Sequence, residues 1–349
     1  MRKIDVGILG ATGIVGQRLI LMLKEHPWFR LAALTASEDS AGKPFEEACH
    51  WKLPVPMPGS VRTMPVLESE PDVGCRLVFS AVSGSAAPEI ERRFAEHGYG
   101  VVSNAGAFRM FPDVPLVIPE VNPGHLDIVR SQVFYREGQG GFIVTNPNCV
   151  TVPLAMALAP LHRMYGISSI LVTTLQAVSG AGYPGNASMD ILDNVIPYIQ
   201  GEERKIETEI NKILGDQGEN VIKSAEIPVS AQVHRVAVQD GHMLAVSVKL
   251  REKASVDDVK ACLAEYYKTN GRVELPAAPE QPLVILEESD RPQPRMDRNR
   301  GNGMTVTIGR IRGCPVLDIK MSILGHNTVR GAAGAALLNA ELLYAKGLI

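Results

Sequence analysis

Apolar residues are grouped in two ways along this chain. In the first part they form short continuous runs at 4–9, 31–36, 76–82 and 100–103, with a further candidate at 116–118. Between them lie longer stretches of helical period at 17–25 and 89–97. Buried strands alternating with helices at this spacing predict βαβ units around a parallel sheet. After residue 149 the pattern changes. A helix rich in Ala and Leu is predicted at 153–162, with Pro153 suited to its first turn. Long strands are predicted at 169–177 and 243–250, and a strand pair at 305–311 and 316–324 around Arg312-Gly313-Cys314-Pro315. Helices are predicted at 206–214 and 256–267. The fold class expected is α/β: a Rossmann-type, doubly wound N-terminal domain followed by an α+β domain with long antiparallel strands. The first domain takes residues 1–149 and the second 150–326. The tail is rich in small residues, and its helix at 328–345 should return to the first domain, so that 327–349 complete it. The proline-rich stretch 276–294 reads as an ordered excursion, with disorder as the alternative.

Composition narrows the function classes. The chain has 349 residues, enough for two domains and a large core. A net charge of −3 leaves no basic footprint for nucleic acid. No segment approaches 18 consecutive apolar residues, so no membrane span is expected. The five cysteines are scattered and none forms a C-x-x-C pair. That spacing argues against a thiolate metal site and a disulfide framework, and no metal is expected. The first residues lack the pattern of a signal peptide, and a cytoplasmic location is expected.

Candidate chemistry sits at the joints of this pattern. Gly10-x-x-Gly13-x-x-Gly16 follows the first strand and opens the first helix, where glycines permit a tight turn and a pyrophosphate can meet the helix N-terminus. A tight turn without a ligand would use the same residues. The second strand ends in Ser37, with Ser40 and Lys43 following. Two hydroxyls and a cation suit a ribose 2′-phosphate and favour NADP, while Glu38 leaves NAD open. Gln176 leads into a glycine-rich loop, Ser179 to Gly185, that would admit a ligand or serve only as a turn. Glu202 and Lys205 share one helix face, as a binding pair or a solvated surface. Arg235 suits a carboxylate, and His242 suits proton transfer or a structural turn. Asn327 caps a helix start and could also meet the cofactor. Cys149, between Asn146-Pro147-Asn148 and an apolar helix, is either a small buried hydrophobe or a nucleophile whose thiolate the helix N-terminus favours.

Together, "GATGIVGQR", "HPWF", "SAGK", "SNAGAFRM", "DVPLVIPEVNP", "GFIVTNPNC", "SGAGYPG", "DNVIPYIQGEE", "DGH", "RPQPRMDR" and "HNTVRGAAGA" resemble the aspartate-semialdehyde dehydrogenase family, in its archaeal and fungal branch, over almost the full length. The resemblance implies that Cys149 is the nucleophile, His242 the acid/base and Gln176 an orienting residue. It implies that Arg235 binds the substrate α-carboxylate, Glu202 its amino group and Lys205 the phosphate, helped by Arg109 and Asn148. The cofactor is expected on Gly10, Thr12, Gly13, Ile14, Val15 and Gly16, on Ser37 and Ser40, and against Ser80, Ser179, Gly180 and Asn327. The implied reaction is the reversible, NADP-dependent reductive dephosphorylation of aspartyl phosphate through a cysteine thioester, on the path to lysine, threonine and methionine. The implied assembly is a homodimer or homotetramer. Val150 departs from the small hydroxyl residue expected after the nucleophile, and Gly106 stands where serine is common. Rival readings are an acyl-CoA reductase such as malonyl-CoA reductase, a non-catalytic NADP-binding regulator and a cysteine hydrolase.

Overall fold

Residues 3–137 and 139–349 are described by a computed structural model. Six strands form the first sheet: β1 (Ile4–Leu9), β2 (Phe29–Ala36), β3 (Val66–Glu68), β4 (Leu77–Ser80), β5 (Gly100–Ser103) and β6 (Phe142–Thr145). Their order is β3-β2-β1-β4-β5-β6 and every pairing is parallel. Each residue of β4, β5 and β6 is buried, as a sheet covered on both faces requires. Strand order reverses between β1 and β4, which opens a crevice at the carboxyl ends of those strands. The 116–118 run is not a strand; Leu116 makes a single parallel bridge to Thr145.

The second half carries a two-stranded ribbon and a seven-stranded sheet. β7 (Ile167–Ala177), β8 (Val195–Ile196), the ribbon β9 (Asp216–Gln217) and β10 (Ile222–Lys223), β11 (Val229–Val236), β12 (His242–Leu250), β13 (Leu283–Leu286), β14 (Val306–Gly313) and β15 (Ile319–Gly325) follow in chain order. The large sheet runs β13-β14-β15-β12-β7-β11-β8. Its long central pairings β7–β12, β12–β15 and β14–β15 are antiparallel as expected, but β7–β11 and β13–β14 are parallel. Side chains alternate along β7. Ile170 and Val172 enter the core with the helices Thr151–Tyr165, Glu202–Ile213 and Val256–Tyr266, while Leu171 and Leu175 stay 46% and 39% exposed.

The proline-rich stretch is ordered. It contributes β13, and Asp297 accepts hydrogen bonds from Arg291 Nε at 2.7 Å, Gln293 N at 2.8 Å and Arg300 Nε at 3.0 Å. The tail begins with a wide turn, Val329–Ala333, and continues as the helix Gly334–Ala345. That helix is buried nearly all round, and Ala336, Leu337, Ala340 and Leu343 share a core with Phe29, Leu34 and Phe79 of the first sheet. Asn339 Nδ2 donates to Asn146 Oδ1 at 2.6 Å, tying the tail to the segment before Cys149. Arg330 and Glu120 form a bidentate pair, both bonds 2.7 Å and both side chains buried. Among the described residues no helix is long and apolar enough to cross a membrane.

Candidate active site

A cleft of ≈ 1280 Å³ runs between the two sheets. Of the expected residues, Thr12, Gly13, Ile14 and Val15 line one part of it. Arg109, Asn148, Cys149, Glu202, Lys205, Arg235, Ser179, Gly180 and Asn327 line the rest.

The glycine turn divides its labour. Gly10 has φ +78, and a Cβ there would lie 2.7 Å from Ala81 O. At Gly16 a Cβ would lie 2.6 Å from Gly10 O. Both therefore serve close packing of the turn and do not line the cleft, whereas Gly13 does. The helix Ile14–Leu23 starts at Gly13 with no side-chain cap and no acidic residue in its first turn. Its leading N–H groups are thus available to an anion. Ser80 does not face the cleft: it is fully buried and its hydroxyl donates to Glu91 Oε1 at 2.7 Å, beside Ser103 Oγ at 2.6 Å. Its chain neighbours Ala81 and Val82 line the cleft instead. Ser37 and Ser40 lie outside the lining, in a turn after β2 closed by Ser40 N donating to Ser37 O at 2.9 Å.

Cys149 lies two positions before the helix Thr151–Tyr165, with Val150 between, and Val152 N already donates to Asn148 O at 3.1 Å. Asn148 is used at both ends of its side chain. Oδ1 accepts from Val150 N at 2.8 Å, and Nδ2 donates to Glu202 Oε1 at 2.8 Å. The first bond turns the chain into the helix, whose start carries no side-chain cap; Val150, at the N-cap position, is fully buried in the second core. Burial first, and then the Glu202 carboxylate, push the Cys149 thiol up to about 12, against the pull of Arg109, Arg235 and Lys205. The free protein therefore holds a neutral thiol at neutral pH.

His242 opens β12 and is fully buried behind Gly180. A Cβ at Gly180 would stand 3.0 Å from His242 Nε2 and 2.8 Å from Arg235 Nη1, so glycine is needed where the loop covers these two groups. Burial, then Arg235 and His326, lower His242 to about 3. Its Nδ1 accepts from Ala177 N at 3.1 Å, which assigns the single ring proton to Nε2. Nε2 is buried and has no partner, an orphan of the kind a ligand oxygen satisfies. Arg235 is held by Ala177 O, which accepts from Nη1 at 2.8 Å. Gln176 is buried in β7 in register with Arg235, donates to Thr174 Oγ1 at 3.2 Å, and does not line the cleft. Asn327 bridges Gly241 N at 2.9 Å and Ser179 Oγ at 2.8 Å, which fixes the loops on either side of the histidine.

Three features of the site were absent from the sequence reading. Gly331 packs on Cys149: a Cβ there would lie 2.7 Å from Cys149 Cβ. Lys52 places its Nζ 3.9 Å from the Tyr183 ring centroid, and both line the cleft. Glu209 accepts from Arg109 Nη1 at 2.9 Å and from Asn148 N at 2.7 Å. Glu209 had a signal in the sequence, the charged stripe Glu202, Lys205, Glu209, Lys212 at helical spacing beside Ile206, Ile210 and Ile213.

Two family models match the chain: the semialdehyde dehydrogenase NAD binding domain over residues 5–129 and the semialdehyde dehydrogenase dimerisation domain over residues 158–330. The chain is 51% identical to an aspartate-semialdehyde dehydrogenase of Methanothermobacter thermautotrophicus, covering 97% of this chain and 99% of that one. It is 46% identical to one of Saccharomyces cerevisiae, covering 98% of each. Its fold is similar to a crystal structure of aspartate semialdehyde dehydrogenase with NADP from Candida albicans, with a TM-score of 0.92 and 44% identity over 100% of both chains.

Proposed function

The chain belongs to the aspartate-semialdehyde dehydrogenase family, and from that premise we propose how its own residues carry the reaction. The enzyme interconverts aspartyl phosphate and aspartate 4-semialdehyde in amino-acid biosynthesis, with NADP as cofactor. When bound, the dinucleotide supplies or accepts the hydride. The open helix N-terminus at Gly13 and the adjoining cleft would hold it beside Cys149.

In the reducing direction the Cys149 sulfur attacks the acyl carbon of aspartyl phosphate. The C–S bond forms, the bond from carbon to the phosphate oxygen breaks, and phosphate leaves with that electron pair and with the thiol proton, as hydrogen phosphate. With the acyl group held on Cys149 as a thioester, negative charge would develop on its oxygen when the carbon becomes tetrahedral. His242 Nε2–H is aimed to donate to that oxygen, and the backbone N–H groups at the helix start add to it. Collapse breaks the C–S bond and releases the aldehyde. The sulfur needs its charge only when substrate is present. Burial raises the thiol most and the Glu202 carboxylate next, and pairing Glu202 with the substrate amino group offsets the second of these. Arg235 takes the α-carboxylate, Lys205 and Arg109 take phosphate, and Gln176 steadies the strand end that holds Arg235 and His242.

The single observation carrying this reading is that the uncapped helix start and the Cys149 thiol line one cleft, with the orphan Nε2 of the fully buried His242 directly behind Gly180 of that lining. The test is NADP reduction by aspartate semialdehyde. It should require phosphate and vanish in Cys149→Ser while NADP still binds, because a serine hydroxyl is far less ionised than a thiol. Equal or better turnover of malonyl-CoA with NADPH would replace the substrate assignment.

We assign residues 1–149 with 327–349 to cofactor binding and 150–326 to catalysis and self-association, in a cytoplasmic enzyme. The open face of β7, with exposed Leu171 and Leu175, and the exposed Leu192, Val195 and Tyr198 nearby form the apolar surface for a second copy. Sedimentation of Leu171→Lys/Leu175→Lys should show a lighter species than the unaltered protein.

A further inference from the structure

Four of the charged residues on the helix Glu202–Ile213 are spaced three, four and three apart: Glu202, Lys205, Glu209 and Lys212. That spacing keeps them on one face. The reaction above uses the first two. Glu209 and Lys212 are each 2% exposed, and a buried charge persists only where partners hold it.

Their partners lie on the loop that carries Arg109 and on the segment that carries Cys149. Lys212 Nζ donates to the carbonyl oxygens of Arg109, Phe111 and Val114, each at 2.6 Å, and so pins the loop backbone. Glu209 Oε1 accepts from Arg109 Nη1 at 2.9 Å, and Oε2 accepts from the Asn148 backbone N–H at 2.7 Å. One buried carboxylate thus touches both a guanidinium lining the cleft and the residue before the nucleophile. The other holds on Arg109 are few: Nη2 donates to Asn104 O at 2.7 Å, and Nε is buried without a partner.

We infer that Glu209 is a positioning residue for the phosphate step, holding the Arg109 guanidinium and the Asn148–Cys149 segment in one frame. This rests on the reading of Arg109 as a phosphate ligand and Cys149 as the nucleophile. With Glu209 neutralised, the guanidinium keeps one carbonyl contact and its plane can turn. Orientation toward phosphate is lost, while the carboxylate and amino-group contacts at Arg235 and Glu202 stay in place.

The test is a double-mutant cycle on the full enzyme with Glu209→Gln, Arg109→Gln and the double variant, reading the KM for inorganic phosphate, the KM for aspartate semialdehyde and NADP affinity by fluorescence titration. Glu209→Gln should raise the phosphate KM by about tenfold, as expected for a charge-assisted hydrogen bond that no longer orients its partner. The aldehyde KM and NADP affinity should stay within about twofold. The double variant should have the phosphate KM of Arg109→Gln alone. It also removes both charges together, so it leaves no unpaired buried ion and decides the case even if Glu209→Gln does not accumulate. The inference is overturned if Glu209→Gln leaves the phosphate KM unchanged, raises both KM values together, or multiplies with Arg109→Gln. If Arg109→Gln itself leaves the phosphate KM unchanged, the reading of Arg109 falls first and the inference with it.

Discussion

Replacing Gly331 by alanine tests the geometry around the nucleophile. The added Cβ would lie 2.7 Å from Cys149 Cβ, 2.8 Å from its Cα and 2.9 Å from its O. Carbon atoms in ordinary contact stand about 3.5–4.0 Å apart, so the two segments must separate by roughly 0.8 Å or more. None of the three atoms is the tip of a flexible side chain. Retreat of residue 331 is opposed by Arg330 next to it, which is locked to Glu120 by two 2.7 Å bonds in a buried pair. Cys149 is therefore the side that moves. A displacement approaching 1 Å at a reacting group costs about 10²-fold in rate, which corresponds to about 2.7 kcal/mol of activation free energy. Overpacking should also lower stability by about 1–3 kcal/mol. The assay is kcat for phosphate-dependent NADP reduction alongside a thermal melt. Gly313→Ala serves as the control, because a Cβ there meets nothing within 4 Å. If Gly331→Ala keeps kcat within about twofold and melts with the control, the neighbouring chain absorbs the methyl and the argument fails.

Arg235→Lys should lower kcat/KM for aspartate semialdehyde by about one to two decades, because lysine cannot make the paired bonds of a guanidinium to a carboxylate. NADP affinity measured on the same protein should barely move, and the reverse pattern would place the carboxylate elsewhere. Glu202→Gln should speed alkylation of Cys149 by iodoacetamide in the free enzyme, since it removes the anion that raises the thiol, while weakening aldehyde binding. Unchanged alkylation would mean that the carboxylate does not act on the sulfur. Burial holds His125 and His326 at about 4 and His242 at about 3 in the folded protein. Between about 6.5 and those values the unfolded chain binds protons that the native chain does not, so stability should fall as pH drops through that window. The slope is up to about 1.4 kcal/mol per pH unit for each histidine, and a denaturation midpoint flat from about pH 7 to 5 would contradict it.

The long periodic segments were legible: β1, β7, β12 and the helices around 153–162 and 256–267 stand close to their expected ranges, and of the shorter strands β5 was also found. Other short ones were not. β3 is three residues, and β6 is four residues running directly into Asn-Pro-Asn, too brief for alternation to register. β13 lay hidden among prolines and is only partly buried at its edge of the sheet. In the site, Cys149, Arg109, Glu202 and Arg235 could be singled out by residue type and motif. Ser80 shows the limit: a hydroxyl at a strand end reads as a cofactor contact until Glu91, eleven residues on, is seen to take it. Gly180 was expected only as a cofactor contact, and Gly331 was an ordinary glycine in sequence. Their roles exist only because folding sets them against His242 and Cys149.

The docking of the C-terminal helix has a consequence for how the molecule is made. Ala333, Ala336, Leu337, Ala340 and Leu343 fill the core beneath β1, β2 and β4, and Glu341 meets His26 at 2.6 Å. On a ribosome the strands of the first sheet emerge long before the residues that seal them. The early half must therefore wait, with part of its apolar face uncovered, until residues 333–343 have been made. An arrest of synthesis at residue 326 should leave a nascent chain that binds chaperones through that face, and synthesis and emergence of the helix Gly334–Ala345 should end the binding.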